Sequence, residues 1–124
     1  MGAPKILVVD DATTIRMYFR ALFTATGCTV VEARDGNEGY ELALAEPPDL
    51  AFVDINMPGL DGYSLVRRMR REPTLVEVPV VMCSTESKPI DEVKAYQAGA
   101  NFYVRKPVPK GLVLDIRAVL GGES

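Results

Sequence analysis

The alternation of short apolar runs with helical segments restricts the fold of this chain more than any other feature. Five runs rich in β-branched and aromatic residues are each followed by a segment with helical spacing of its apolar residues, and no hairpin signal joins neighbouring runs. Short runs of this kind predict buried strands. Strands that alternate with helices predict a parallel sheet covered by helices on both faces. The sequence therefore predicts an α/β fold with five parallel strands.

The predicted elements occupy almost the whole chain, which is predicted to be one domain of 124 residues ending in a tail or linker stump at residues 121–124. Strands are predicted at residues 5–9, 29–33, 50–53, 78–83 and 102–105, and helices at residues 12–25, 38–45, 62–71, 88–98 and 109–120. Gly27 and Gly99 are natural C-terminal stops for two helices. Residues 35–37 are predicted to form a turn, and Ser87 is placed to cap the fourth helix. The last helix is predicted to bury one apolar stripe, formed by Leu112, Ile116, Val119 and Leu120.

Composition argues against several classes of protein. A net charge of −3 gives no reason to expect a nucleic-acid or membrane partner, and the basic run at residues 67–71 is interpreted as a solvated helix face. No apolar run approaches the ~20 residues of a membrane span, and no signal peptide is visible. Cys28 and Cys83 fit a reducing compartment, so a cytoplasmic location is expected.

The chain contains no histidine. This absence excludes the Ser-His-Asp and Cys-His catalytic arrangements within the chain, as well as the usual zinc sites. There is also no glycine-rich phosphate loop of either common type. Carboxylate, hydroxyl and lysine chemistry remains.

Polar residues follow four of the five predicted strands. The first strand ends at Asp10-Asp11, the third at Asp54, the fourth at Ser84-Thr85 and the fifth at Lys106. In open parallel sheets, ligands bind outside the carboxyl ends of the strands. Carboxylate oxygens suit Mg²⁺, and a lysine and a hydroxyl suit phosphoryl oxygens. The pattern predicts a site for a cation and a phosphoryl group.

Each of these residues also has a simpler interpretation. Asp11 could serve only as the N-cap of the first helix, although capping would explain neither Asp10 nor Asp54. Asp54 could be a metal ligand only, or also a nucleophile that accepts a phosphoryl group. Lys106 could be a surface lysine, but the following proline favours a special turn, with a cis peptide bond as one option. Ser84 alone would be interpreted as a turn residue.

Taken together, the motifs resemble the receiver domain of two-component response regulators, of the single-domain, chemotaxis-regulator-like kind. The resemblance covers the chain from Lys5 to about Leu120 and is carried by residues 9–11, 54–62, 84–86, 97–104 and 106–107. It implies a doubly wound, flavodoxin-like sheet with strand order 2-1-3-4-5. It also implies that the chain catalyses only its own phosphorylation and dephosphorylation and is otherwise not an enzyme.

The resemblance implies a role for each residue of the site. Asp54 would be the phosphoacceptor, charged by the phosphohistidine of a histidine kinase or phosphotransfer protein. Asp10, Asp11, Asp54 and the backbone carbonyl of Asn56 would bind Mg²⁺, for which Mn²⁺ can substitute. Lys106 would bind the phosphoryl group.

The resemblance further implies a switch. Ser84 would move toward the phosphoryl group, and Tyr103 would then turn inward. The surface formed by the fourth helix, fifth strand and fifth helix would change and bind a downstream target protein. A monomer is expected, with a weak dimer through the same surface as the alternative.

Some features depart from the family pattern or leave alternatives open. Thr85 is bulkier than the alanine or glycine that often follows the switch hydroxyl, so it could narrow the access to the phosphoryl group. Asn56 and Glu86 flank the site and could orient or block the attacking water, so the sequence leaves the lifetime of the phosphoryl group open. A phosphatase or phosphotransferase with an aspartyl intermediate is disfavoured, because Asn56 cannot act as a general acid. A phosphate-independent interaction module and a receiver within a longer regulator are further alternatives. A stand-alone regulator is expected, because Met1 lies just before the first strand and the chain stops just after the last helix.

Overall fold

Five parallel strands form the centre of the computed structural model, which describes residues 2–85 and 88–121. The strands are β1 (Lys5–Val9), β2 (Thr29–Ala33), β3 (Leu50–Asp54), β4 (Val80–Ser84) and β5 (Phe102–Arg105). The helices are α1 (Thr13–Ala25), α2 (Gly36–Ala45), α3 (Gly62–Arg71), α4 (Pro89–Ala98) and α5 (Lys110–Gly121). The strand order is β2-β1-β3-β4-β5 and all neighbours are parallel. The predicted fold class and strand order are confirmed.

Two apolar layers hold the sheet between its helices. Alternate residues of β1 point to opposite faces, so Leu7 and Val9 join the layer under α2, α3 and α4, while Ile6 and Val8 join the layer under α1 and α5. Every residue of β3 and β4 is buried. Strands covered on both faces are expected to be apolar throughout, so a buried acid such as Asp54 stands out.

The predicted boundaries agree with the structure to within two residues, and the differences have local causes. Helix α2 begins at Gly36 instead of after a turn, because the Asp35 carboxylate accepts a hydrogen bond of 2.8 Å from the backbone N–H of Glu38 and so caps the helix. Strand β4 begins at Val80 and not at residue 78, because the N–H of Val78 is used in a turn with the carbonyl of Leu75. Asp54 is itself part of β3 and pairs in register with Cys83.

The prediction that the apolar stripe of α5 is buried is wrong at Val119, which is 83% exposed. Val113, which was not part of the predicted stripe, is fully buried. Leu112 and Ile116 are partly buried. With Phe102 they line a groove beside β5, the last strand of the sheet, and no further strand of the described chain covers it.

A few sequence predictions fall on residues that the structure does not describe, and those for the helix-ending glycines fall on residues that it does. The side chain of Leu120, the proposed cap Ser87, and residues 122–124 of the expected tail lie outside the described residues. Gly27 and Gly99 have positive φ angles of 87° and 116°, as expected of glycines that end helices. Within the described chain, every helix is too short or too polar to cross a bilayer.

Candidate functional site

Three carboxylates converge at the carboxyl edge of the sheet. Asp10 follows β1 and Asp54 ends β3, and these strands are neighbours, so their ends meet. The side chains of Asp10 and Asp54 are buried and that of Asp11 is exposed. One carboxylate oxygen from each lies within 4.8 Å of the others. Three oxygen donors within reach of a single ion suit a hard divalent cation.

Lys106 supplies the positive charge of this cluster. Its Nζ donates hydrogen bonds of 2.7 Å to Oδ2 of Asp10 and 3.0 Å to Oδ1 of Asp54. The backbone N–H of Lys106 donates to the carbonyl of Ser84 at 2.8 Å, which fixes the start of the loop after β5. The Lys106–Pro107 peptide bond is cis. The structure therefore brings together the lysine and the acids that the sequence analysis selected.

Burial and mutual repulsion shift the titration of the central groups. Burial, together with the negative charges of Asp10 and Asp11, raises the pKa of Asp54 to about 6, although the hydrogen bond from Lys106 opposes this shift. Burial by itself would lower the pKa of Lys106, but its hydrogen bonds to Asp10 and Asp54 outweigh that effect and raise it. One ammonium thus faces three carboxylates, and an added cation would relieve the excess negative charge.

Ser84 and Tyr103 occupy the positions expected from the sequence. Ser84 ends β4, next to β3, and its side chain is almost completely buried. Tyr103 pairs in register with Met82 and packs, half-buried, against the layer under α2, α3 and α4. Asn56 follows β3 with an exposed side chain. The site residues thus lie on four different segments of one sheet edge.

The chain turns back tightly after Asp54. A Cβ added at Gly62 would lie 2.3 Å from the carbonyl oxygen of Asp54, so only glycine fits there without a backbone shift. Gly59 has a φ of 74°, which glycine adopts without strain. The carboxylate of Asp61 accepts a hydrogen bond of 2.8 Å from the N–H of Ser64 and caps α3. This loop explains the residue pattern that follows Asp54 in the sequence.

Arg16 contacts the site, although no sequence motif singled it out. This arginine lies on α1 with only 8% of its surface exposed, and its Nη1 donates a hydrogen bond of 2.6 Å to the backbone carbonyl of Asp10. Its Nε donates to Oε1 of Glu32 on β2 at 3.0 Å. A signal was present, because Arg16 lies beside the apolar face of the predicted helix and Glu32 interrupts a predicted buried strand.

The sequence is similar to a known protein family and to several known regulators. The sequence model of the response regulator receiver domain matches residues 6–117. Protein PilH of Pseudomonas aeruginosa is 35% identical over 95% of this chain and 98% of its own length. The transcriptional regulatory protein CseB of Streptomyces coelicolor is 43% identical over 93% of this chain, which spans only 48% of that protein.

The fold has close counterparts among solved structures. The chemotaxis protein CheY4 of Vibrio cholerae superimposes with a TM-score of 0.89 and 27% sequence identity, over 96% of this chain and 99% of that one. A response regulator protein from Burkholderia multivorans superimposes with a TM-score of 0.82 and 30% identity, over 98% of both chains. Because the family model matches most of the sequence, residues 6–117, the chain belongs to the response regulator receiver domain family.

Proposed function

We propose that this protein is a phosphoacceptor switch of a two-component signalling system. Receiver domains are signalling modules that work with histidine kinases and downstream targets. In this chain, Asp54 would take a phosphoryl group from the phosphohistidine of a kinase or phosphotransfer protein. The observation that carries the proposal is the position of Lys106 Nζ, which bridges the carboxylates of Asp10 and Asp54.

The donor set fits the Mg²⁺ that receiver domains bind at an acidic pocket. All three clustered side chains offer oxygen atoms, which Mg²⁺ and Mn²⁺ prefer. Asp11, Asp54 and the backbone carbonyl of Asn56 would hold the ion, with Asp10 beside them. When bound, the ion would offset negative charge on the carboxylates and on the phosphoryl oxygens.

In the transfer, Asp54 would be the nucleophile, and Lys106 and the divalent cation would offset the negative charge around it. An Asp54 oxygen attacks phosphorus, the new O–P bond forms as the P–N bond to the partner's imidazole breaks, and the imidazole keeps the electron pair. Asp54 must be ionised to attack, and with a pKa of about 6 it is mostly ionised at neutral pH. Lys106 would then donate a hydrogen bond to a phosphoryl oxygen. The ammonium of Lys106 would thereby exchange the Asp54 carboxylate for the phosphoryl group as its anionic partner.

The output would be a change in surface shape. The Ser84 hydroxyl would move toward the phosphoryl group and donate a hydrogen bond to one of its oxygens. Tyr103 would then turn inward into the space that this movement opens. Phosphorylation would shift the balance between two arrangements of the surface formed by α4, β5 and α5. Apolar side chains exposed on these elements support a role in docking a target, namely Ile90, Val93, Tyr96, Phe102 and Leu114.

The proposal includes a monomer in the cytoplasm, which acts by docking to a protein target. Both cysteines are buried free thiols, which suits a reducing compartment. The relatives include PilH, matched over nearly its whole length, and CseB, matched over about half. A stand-alone regulator and a receiver within a longer regulator would use the same switch.

Labelling with a small phosphodonor tests the proposal directly. The protein is incubated with acetyl phosphate or phosphoramidate, with and without Mg²⁺, and its intact mass is measured. We expect Mg²⁺-dependent addition of one phosphoryl group, lost in Asp54→Asn and kept in Asp115→Asn, a change at an exposed carboxylate on α5. Stoichiometric labelling of Asp54→Asn would refute the assignment of the phosphoacceptor.

A further inference from the structure

We propose that Arg16 is a positioning residue for the acidic site. Its guanidinium holds the main chain where β1 ends, and so keeps the carboxylates of Asp10 and Asp11 directed toward Asp54. The inference rests on the proposed function in one respect, because it assumes that these acids bind a divalent cation. The contacts that carry it involve no group of the cation site except the backbone of Asp10.

The guanidinium of Arg16 is almost fully buried and uses its planar, forked shape. It donates three hydrogen bonds: 2.6 Å from Nη1 to the carbonyl of Asp10, 3.3 Å from Nη2 to the hydroxyl of Thr13, and 3.0 Å from Nε to the carboxylate of Glu32. These three acceptors belong to the loop after β1, the start of α1, and β2. A lysine has one ammonium group and lacks this fixed geometry.

Asp10 is held on every polar atom, and Arg16 supplies one of these contacts. The backbone N–H of Asp10 donates a hydrogen bond of 3.0 Å to the carbonyl of Ala33. The carboxylate of Asp10 accepts a hydrogen bond of 2.9 Å from the N–H of Ala12 at Oδ1 and one of 2.7 Å from Lys106 Nζ at Oδ2. Its carbonyl accepts from Arg16. Loss of the Arg16 contact would release the carbonyl and allow the peptide between Asp10 and Asp11 to rotate.

Glu32 holds Arg16 from the opposite side. One hydrogen bond from Arg20 and one from Arg16 lower the pKa of Glu32 against the effect of burial, so that Glu32 stays ionised at neutral pH. Arg20 is itself fixed, because it also donates to the carbonyl of Val30 at 3.1 Å. Glu32 therefore offsets the charge of Arg16, which would otherwise repel a cation at the neighbouring acids.

Charge and geometry predict opposite effects on cation binding. If Arg16 acted only through its positive charge, its removal would strengthen Mg²⁺ binding, and lysine would preserve the native affinity. If Arg16 acts by positioning, both methionine and lysine weaken binding. Replacement of residues that orient metal ligands typically costs about 10-fold to 100-fold in affinity. The sign of the change thus separates the two roles.

The experiment measures the Mg²⁺ dissociation constant by NMR titration of the full chain. We expect about 10-fold weaker binding in Arg16→Met and in Arg16→Lys. The matched control is Arg70→Met, because Arg70 also bridges segments, through the carbonyl of Gly99 and the side chain of Asn101, but far from the acids. Arg70→Met should lower the denaturant midpoint and leave the Mg²⁺ affinity unchanged.

Glu32→Gln provides a second route in case Arg16→Met does not fold. It should weaken Mg²⁺ binding as well, and most of that effect should disappear in the Arg16→Lys background if Glu32 acts through Arg16. Native or tighter binding by Arg16→Met and Arg16→Lys would overturn the inference alone. A failure of the unmodified protein to bind Mg²⁺ at Asp11 and Asp54 would overturn the proposed function and this inference together.

Discussion

The ammonium of Lys106 lies 3.0 Å from Oδ1 of Asp54, although 52 positions separate the two residues in the chain. The contact forms because β5 and β3 end at the same edge of the sheet, with β4 between them. A buried carboxylate is thereby paired with a cation that could later hold a phosphoryl group.

Replacement of Lys106 by methionine should slow phosphorylation of Asp54 by about 100-fold to 1000-fold, the usual effect of losing a donor to a developing anion. The loss of the hydrogen bond should also raise the pKa of Asp54 above its present value of about 6 and leave less nucleophile at neutral pH. Labelling rates with phosphoramidate measure the effect. Lys110→Met, at an exposed lysine, is the control. Equal rates in the two variants would contradict the role of Lys106.

Replacement of Asp54 by asparagine should stabilise the metal-free protein at neutral pH but not at pH 4. The folded-state pKa of this acid is raised from 3.8 to about 6, so its contribution to stability is greatest at low pH and is lost as the pH rises from about 4 to about 6. At about 1.4 kcal/mol per pKa unit, the loss amounts to about 3 kcal/mol. Urea denaturation of both proteins across this range measures it.

Added Mg²⁺ should reduce the stability difference between the two proteins, because the ion stabilises the ionised Asp54 of the native site. If the difference in unfolding free energy stays constant between pH 4 and pH 7, the pKa of Asp54 is not raised. The comparison cancels titration of the acids remote from Asp54, since both proteins share them and their surroundings do not change.

Millimolar Mg²⁺ should shift the backbone amide signals of Asp11, Asp54 and Asn56. Asp11→Asn should weaken binding about 10-fold or more, since the cluster loses an anionic ligand. Asp115→Asn should bind as the unmodified protein does. If no signal near the acids moves at millimolar Mg²⁺, the chain is better explained as an interaction module that works without phosphorylation.

Alanine at Gly62 and at Gly111 should have opposite effects. The new Cβ at Gly62 would lie 2.3 Å from the carbonyl oxygen of Asp54, so the loop must move, at a cost of about 1–3 kcal/mol. We also expect slower labelling, because the displaced carbonyl belongs to the phosphoacceptor. At Gly111 the Cβ would meet nothing within 4 Å, and alanine in this helix should stabilise by about 0.5–1 kcal/mol. Thermal unfolding and labelling of both variants measure these effects.

Ser84→Ala should uncouple phosphorylation from the surface change. The nucleophile and Lys106 remain, so labelling should continue, but the hydroxyl that would draw Tyr103 inward is lost. NMR spectra of the phosphorylated variant should show smaller shifts on α4, β5 and α5 than those of the phosphorylated native protein. Equal shifts in both would remove Ser84 from the switch.

Much of this structure follows from local sequence signals. The period of apolar residues and the positions of glycine and proline located all ten elements to within two residues, because a strand or a helix is decided largely by neighbours within one or two turns. The rule that parallel strands present their carboxyl ends at one edge then placed Asp10, Asp54, Ser84 and Lys106 together. The strand order itself required the resemblance to a known family.

Three features depended on tertiary structure alone. The contact of Arg16 with the Asp10 carbonyl, the tight approach of Gly62 to Asp54, and the exposure of Val119 all arise where separate elements meet or where the sheet ends. Apolar periodicity states which residues avoid water but not which partner covers them. The sequence by itself determined the elements and the chemistry at their ends. Packing decided which side chains hold that chemistry in place, because contact distances depend on how strands and helices are juxtaposed in space.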